Sequence, residues 1–510
     1  MGKINQLKTG VILTYVNMAL GSILPMLYTP VMLRILGKEE YGLYSLSHSV
    51  IAYLTLLSFG LGGTIVRYIA KYRAEEKKDE LEKIAGLAIL MYGFLAILVM
   101  AGGVFLANNV EVVFHEGLTE TELLKIRPLI LLMTFNTAIS FPISVFSSII
   151  VAYEKYIYRQ FVNIFSTVFA PCANLVALYM GFASIGLVVT TTILQFLMLP
   201  MLGGYCGLIL KVKPSFKKLP FNMVKELVGF SLFVFLGSLV DMLFWATDKV
   251  ILGMLAGTSV VAVYNIGSQF VSMMTNLSTA FSGVLVPKTT VMVARKASKD
   301  ELTNLFIRVG RLQYIIIALA ISGFILYGKE FIILWTGEEY ASAYFVALLT
   351  MIPLVIPLIQ NTGYSILLAQ NKHKFRSIVY LIIAIVNVIS TYIMVPYLGA
   401  IGAALCSGVS YIVGQGFIMN LYYSKVIGLN IFRFWGNIFK MSVIPVIMLV
   451  IGLLMKQIVV IDNWISFLIS AAFYTIVYAG LMYRFIMNDY EKDIIRKSLK
   501  RIIRNIQKTE

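Results

Sequence analysis

The chain has 510 residues, of which 59% are hydrophobic and 13% charged, and its mean hydropathy is +0.85. Too few charges remain to cover a water-soluble surface of that size, which excludes a soluble enzyme or binding module and predicts an integral membrane protein. The net charge of +17 would point to nucleic acid in a soluble protein, but here the basic residues flank apolar runs, where they set topology and face anionic headgroups.

Apolar runs of about 20 residues, each enough to cross a roughly 30 Å hydrocarbon core, recur fourteen times. In chain order they predict helices at about 10–35, 42–68, 84–107, 127–152, 158–180 and 183–210, then at about 226–249, 260–286, 309–328, 342–369, 375–397 and 399–423, and finally at about 436–459 and 463–486. The expected fold class is all-α and polytopic. The first run is too long for a signal-peptide core and lacks a following small-residue cleavage site, so it stays as a helix. With the N-terminus cytoplasmic, the outer ends and loops hold only Arg34, Lys38, Lys125, Arg127, Lys249, Lys329 and Lys456 of the 42 Lys and Arg. The rest cluster on the other side, as at Arg67 to Lys83, Lys211 to Lys218 and Arg295 to Lys299, in the manner of the positive-inside rule. Both termini are therefore expected in the cytoplasm.

Two long stretches of the chain repeat one another. Ile35-Leu36-Gly37 followed by Tyr41-Gly42-Leu43-Tyr44 returns as Met254-Leu255-Ala256-Gly257 followed by Val261-Ala262-Val263-Tyr264, so that Gly37 and Tyr44 fall on Gly257 and Tyr264, 220 residues on. Ala152, Lys155 and Arg159 fall on Ala369, Lys372 and Arg376, 217 residues on, and Ile185-Gly186 falls on Ile401-Gly402. The small drift is one loop insertion or deletion. Paired hydrophobic halves of this kind build many secondary transporters. The expected organisation is a six-helix lobe over 1–210, a second over 211–424, an extra helix pair over 425–487 and a basic cytoplasmic tail over 488–510.

Cys172, Cys206 and Cys406 lie inside apolar runs without metal or redox spacing, so they are expected to pack helices, with no metal site and no disulfide. No GxxxxGK[ST], HExxH or GxSxG sequence occurs. The longest loops, at about 70–83, 108–126 and 287–308, are too short for a domain of usual size. No catalytic residue is assigned, and the chain is not expected to be an enzyme.

The segment from Gly328-Lys329-Glu330-Phe331 through Trp335-Thr336-Gly337-Glu338-Glu339-Tyr340 joins two helices, with a degraded copy at Val110-Glu111-Val112-Val113-Phe114. Together with Leu36-Gly37-Lys38-Glu39-Glu40-Tyr41-Gly42-Leu43-Tyr44, Asp248-Lys249-Val250-Ile251-Leu252-Gly253 and Leu398-Gly399-Ala400-Ile401-Gly402-Ala403-Ala404, it resembles the polysaccharide flippases of the multidrug/oligosaccharidyl-lipid/polysaccharide exporter superfamily. The resemblance covers about residues 5–485. It implies a bacterial-type inner-membrane flippase that carries an undecaprenyl-pyrophosphate-linked sugar unit to the outer leaflet by alternating access. It also implies membrane lipids as surroundings, and as partners a polysaccharide polymerase and assembly proteins. Multidrug cation exporters, the peptidoglycan-precursor flippase and sporulation-related proteins belong to the same superfamily. An integral glycosyltransferase or polymerase is disfavoured, because the external loop at about 108–126 carries Glu111, Glu116, Glu120 and Glu122 without a compact catalytic motif.

A lipid-linked sugar presents a pyrophosphate and many hydroxyls, neither of which tolerates hydrocarbon, so the path needs cations and hydrogen-bonding groups. Candidate substrate-binding cations are Arg34, His48 and Lys249 near the outer helix ends and Arg67 and Arg311 near the cytoplasmic ends. Arginine suits phosphate because its planar fork binds two oxygens; the alternative for the three arginines is to anchor at the headgroups, and for His48 to serve as a hydrogen-bonded packing residue. Gln269, Gln360 and Asn361 are candidate partners for sugar hydroxyls or for interhelix hydrogen bonds. Asp241 is the deepest acid, and Asp248 follows at i+7 on the expected same face, so both are candidates for a coupling proton or sodium ion, with pairing to Lys249 the structural alternative. Pro30, Pro142, Pro353 and Pro357 are expected to kink helices.

Overall fold

The computed structural model describes residues 6–497 except 59, 218, 221, 284, 285, 373, 459, 460 and 495. The basic tail beyond 497 lies outside the described residues. No β-strand occurs among the described residues, and the chain is nearly all helix. In the first part run α1 (Gln6–Thr55), α2 (Leu61–Ala74), α3 (Lys78–Asn108), α4 (Val110–Phe114), α5 (Glu120–Ala152), α6 (Tyr156–Tyr179) and α7 (Ala183–Gly204). There follow α8 (Asn222–Trp245), α9 (Thr247–Leu255), α10 (Thr258–Gly283), α11 (Val286–Ala294), α12 (Lys299–Thr336), α13 (Ala343–Ile359), α14 (Asn361–Ala369) and α15 (Lys374–Tyr411). The chain closes with α16 (Ile431–Met455) and α17 (Trp464–Leu481).

Among the described residues, ten stretches are long and apolar enough to cross a membrane. The longest, Thr9–Ala74 with 66 residues and Lys374–Ile427 with 54, would be about 100 Å and about 80 Å as straight rods, far beyond a roughly 30 Å core. Each is broken. Gly37 (φ 78°, ψ 172°) divides α1 and Gly399 (φ 54°, ψ −132°) divides α15, both in left-handed regions that a side chain would strain. Counting two spans in each, and adding α8 and α10 with 24 and 26 residues, accounts for the fourteen expected spans. Large apolar side chains such as Phe94, Ile97, Phe105, Val176, Ile193 and Ile389 are exposed, as lipid-facing residues must be.

The internal repeat is visible in the backbone. Left-handed residues recur at Gly37 and Gly257, and at Glu76 and Lys296, both pairs 220 residues apart. They recur again at Glu154 and Asn371, and at Lys211 and Gly428, both pairs 217 apart. The three-residue shortening thus falls between the second and third pairs. Capping boxes start two helices: Thr119 with Glu122 opens α5, and Ser298 with Glu301 opens α12, each satisfying two end amides.

The described chain divides into two compact units, the first made of Met1–Asn265 with Ala384–Cys406 and the second of Ile266–Ile383 with Ser407–Glu510. In the first, α1 packs on α5 and α6, α3 on α5, and α5 on α7, around the buried side chains of Tyr41, Leu43, Leu46, Tyr92 and Ile126. Small residues permit close backbone approach at the crossings. In the second, α12 packs on α13, α16 and α17 around Phe306, Leu326, Phe434, Met441 and Tyr478. Cys206 and Cys406 are buried packing residues as expected, whereas Cys172 is exposed.

Polar contacts tie helix ends to one another. Glu40 accepts from Lys125 at 2.7 Å and from Ser184 at 2.5 Å, and Lys456 pairs with Glu330 at 2.7 Å. At the end carrying the basic loops, the Ser215 amide donates to the Glu82 carbonyl at 2.9 Å and Arg73 to the Ala152 carbonyl at 3.0 Å.

A Cβ added at Gly42 would stand 1.9 Å from the Thr258 carbonyl oxygen, a backbone atom that cannot step aside. Gly42→Ala is therefore expected to destabilise the first unit by about 1–3 kcal/mol, read as a lowered thermal midpoint of the detergent-solubilised protein.

Candidate functional site

The seventh apolar run is broken in the structure. Ala246 (φ −104°, ψ −34°) separates α8 from α9, and this interrupts the i, i+7 periodicity expected to align Asp241 with Asp248. Asp241 is exposed on α8, while Asp248 is fully buried on α9. Below the break, the Thr247 hydroxyl reaches back to the Met242 carbonyl at 3.5 Å and forms a short hydrogen bond with the Tyr53 hydroxyl.

Each of the next two residues enters a polar network inside the first unit. Asp248 accepts from the Tyr264 hydroxyl at 2.5 Å and from the Thr391 hydroxyl at 3.3 Å. Lys249 donates to the Asn265 side-chain oxygen at 2.6 Å. The Asn265 amide in turn donates to the Tyr41 hydroxyl at 2.6 Å and to Ser45 at 3.1 Å. A charge at this depth requires such partners, because hydrocarbon provides none. The network ties the second arm of α1 to α9, α10 and α15. His48, on the same arm of α1, interacts electrostatically with Lys249, and its side chain is exposed while its sequence neighbours Ser47 and Ser49 are buried. Lys249 is itself half-buried, so the arrangement presents an ammonium and an imidazole from a polar, hydrogen-bonded wall.

The other candidates are dispersed. Arg34 and Arg67 are exposed on α1 and α2. In the second unit, Gln269 and Asn361 are half-buried. Gln360 is buried at the break between α13 and α14, where its side-chain nitrogen donates to Asn420 at 2.8 Å; its side-chain oxygen meets no donor among the described residues.

Arg311 takes a structural role in place of the expected substrate contact. Its Nε and Nη2 bind the two carboxylate oxygens of Glu491 at 2.6 and 2.9 Å, and Nη2 also donates to the Ile486 carbonyl at 3.1 Å. Glu491 is 1% exposed and also accepts from the Asn488 amide. The guanidinium fork is occupied, and it fastens the segment after the last helix onto α12.

Sequence reasoning missed Tyr264, Asn265 and Thr391 as partners of the charged pair. Tyr264 was visible as the repeat mate of Tyr44, but these partners come from two helices far apart in the chain and leave no local pattern.

A sequence profile described as "Polysaccharide biosynthesis protein" matches residues 7–293. The uncharacterized membrane protein EpsK of Bacillus subtilis (strain 168) is 23% identical over 486 residues, covering 93% of this chain and 94% of that relative. Among solved structures, the lipid II flippase MurJ in an inward closed conformation is similar with a TM-score of 0.72 at 16% identity, covering 93% of this chain and 99% of that one. A multidrug resistance MATE family transporter of the MOP superfamily, inward-facing, gives a TM-score of 0.63 at 15% identity over 78% of this chain and 93% of that one. At these identities the two solved structures establish a shared fold.

Arg311→Ala leaves Glu491 buried beside no counter-charge and is expected to cost about 3–5 kcal/mol. Thermal unfolding should show a large drop for Arg311→Ala and partial recovery when Glu491→Leu is combined with Arg311→Leu; equal midpoints for parent and Arg311→Ala would contradict the clamp.

Proposed function

Because the chain belongs to the polysaccharide biosynthesis protein family, among the flippases and transporters of the MOP superfamily, we propose that it translocates an undecaprenyl-pyrophosphate-linked oligosaccharide from the cytoplasmic to the outer leaflet by alternating access. The membrane is the cytoplasmic one, with both termini in the cytoplasm, and a polymerase and assembly proteins would take up the product.

The observation that carries this reading is Lys249. It is a half-buried cation in the first unit that donates to a neutral amide, with accessible His48 beside it. A pyrophosphate crossing hydrocarbon needs cations whose charge is not already cancelled by a bidentate carboxylate. Arg34 and Arg67, exposed toward opposite ends of the bundle, supply cations along the way, and Gln269, Gln360 and Asn361 supply amides for hydroxyl groups. Asp241, exposed on a membrane helix, is the acid suited to a coupling proton or sodium ion. Asp248, with Tyr264 and Thr391 on its oxygens, holds the helix break.

The nearest competing reading is a drug exporter of the same fold. Deleting the gene separates the two: lipid-linked oligosaccharide should accumulate in the cytoplasmic leaflet with loss of surface polysaccharide, whereas intact polysaccharide with new sensitivity to cationic dyes would sink the flippase reading. Lys249→Ala is expected to lower leaflet transfer by about tenfold or more at normal protein levels, the scale of a lost charge-assisted contact. Asp241→Asn should abolish the response of transport to an imposed proton or sodium gradient; an unchanged response removes the coupling role.

A further inference from the structure

One cation that the transport reading leaves unused lies at the end of the second unit that carries the basic loops. Arg376 stands in the first turn of α15, five residues after the left-handed Asn371. Its guanidinium carbon is 3.9 Å from the ring centre of Tyr364 on α14 and 4.2 Å from that of Tyr380, one turn along α15. Nη2 donates to the Tyr380 hydroxyl at 2.9 Å. Buried Tyr423, whose ring lies against Gly363 of α14, acts on the guanidinium electrostatically from a third segment.

No carboxylate among the described residues pairs with Arg376. The contrast with Arg311 in the same unit is informative, since that fork is filled on both prongs by Glu491. Two aromatic rings hold the Arg376 guanidinium and one of its N–H groups goes to the Tyr380 hydroxyl; its other N–H groups are of the kind that donate paired hydrogen bonds to a phosphate. A headgroup anchor would extend its charge into the interface, but Arg376 is half-buried between rings.

The repeat adds an independent observation. Arg159, 217 residues earlier, stands five residues after the left-handed Glu154, is half-buried, and has a buried Nε that meets no acceptor among the described residues. The architecture therefore places an arginine lacking a full set of protein acceptors at the same turn in both copies. The positions matching Tyr364 and Tyr380 at that spacing are Ser147 and Asn163, so the aromatic clamp belongs to the second copy.

We propose that Arg376, clamped by Tyr364 and Tyr380, binds a phosphate or diphosphate ester at the end of the second unit that carries the basic loops. The transport reading, on which this assignment of the ligand rests, makes the ester the diphosphate of the lipid-linked substrate on its entry side. Anionic lipid headgroups offer the same chemistry and are the alternative source.

The test uses the purified full chain in phosphatidylcholine nanodiscs, titrated with farnesyl diphosphate. Binding to the parent should weaken about tenfold or more in Arg376→Gln and several-fold in Arg376→Lys, which keeps the charge but loses the fork and the stacking. Tyr364→Leu should also weaken it, because the cation remains while its orientation is lost. Unchanged affinity in a folded Arg376→Gln variant, or no binding to the parent, overturns the site. Should Arg376→Gln fail to fold, Tyr364→Leu and Tyr380→Phe decide: weakened binding supports the clamp and parental affinity in both rejects it. Phosphatidylglycerol in the discs that competes as strongly as the diphosphate upholds the phosphate site and assigns it to bulk lipid. Arg376-dependent binding together with normal leaflet distribution in the deletion strain upholds the site while removing the transport reading.

Discussion

Hydrocarbon supplies no hydrogen bonds, so a chain that crosses it repeatedly can interrupt a helix or bury a charge only where the protein provides the missing partners. This constraint explains why the helix break at Ala246 and the polar network of the first unit occupy the same place. At the break the Met242 carbonyl accepts from the Ala246 amide at 2.9 Å and from the Thr247 hydroxyl at 3.5 Å, and the two charged residues that follow are received by Tyr264, Thr391 and Asn265. The break between α13 and α14 is met in the same way. There the Gly363 amide donates to the Gln360 carbonyl at 2.8 Å, and the Gln360 side chain is held by Asn420.

The same constraint shapes the repeat. What the two copies share most faithfully is where the chain turns left-handed at helix ends, and the side chains at those turns vary freely: Glu76 answers Lys296, Glu154 answers Asn371, and Lys211 answers Gly428. A turn is fixed by the need to end one span and begin the next within a few residues. Its side chain, exposed to water or headgroups, carries little of that requirement. Internal similarity is therefore sparse in the sequence and plain in the backbone. Gly37 and Gly257 keep the same residue at a shared left-handed turn.

The spans were legible because they rest on a local quantity, namely run length. The repeat was legible from a few helix-end residues. Less of the site could be read. Depth along a helix picked out Asp241, and Asp248 and Lys249 were expected near the outer helix end; the environment of that pair depends on a break at Ala246 that no glycine or proline announces. Arg311 was expected near a cytoplasmic helix end as a phosphate ligand or a headgroup anchor; its counter-charge, Glu491, lies 180 residues away along the chain and enters only when the segment after α17 folds back. Arg376 was visible as the mate of Arg159, yet two of the three rings around it come from other segments.

These four basic residues show how folding sorts cations that look alike in sequence. An arginine whose fork is filled by a buried carboxylate is stabilised where it stands, and a ligand would have to break a bidentate pair to use it. Breaking such a pair leaves an uncompensated charge in a low-dielectric setting, which costs several kcal/mol. A transporter must also release its cargo, so binding cations are better held by neutral partners that fix direction without cancelling charge. Arg376 between two tyrosine rings has that arrangement, while Lys249 donates to the neutral Asn265 amide with the Asp248 carboxylate acting on it electrostatically. Arg311 has the opposite one, and its strength as a clamp is the physical reason it is unsuited to carry substrate.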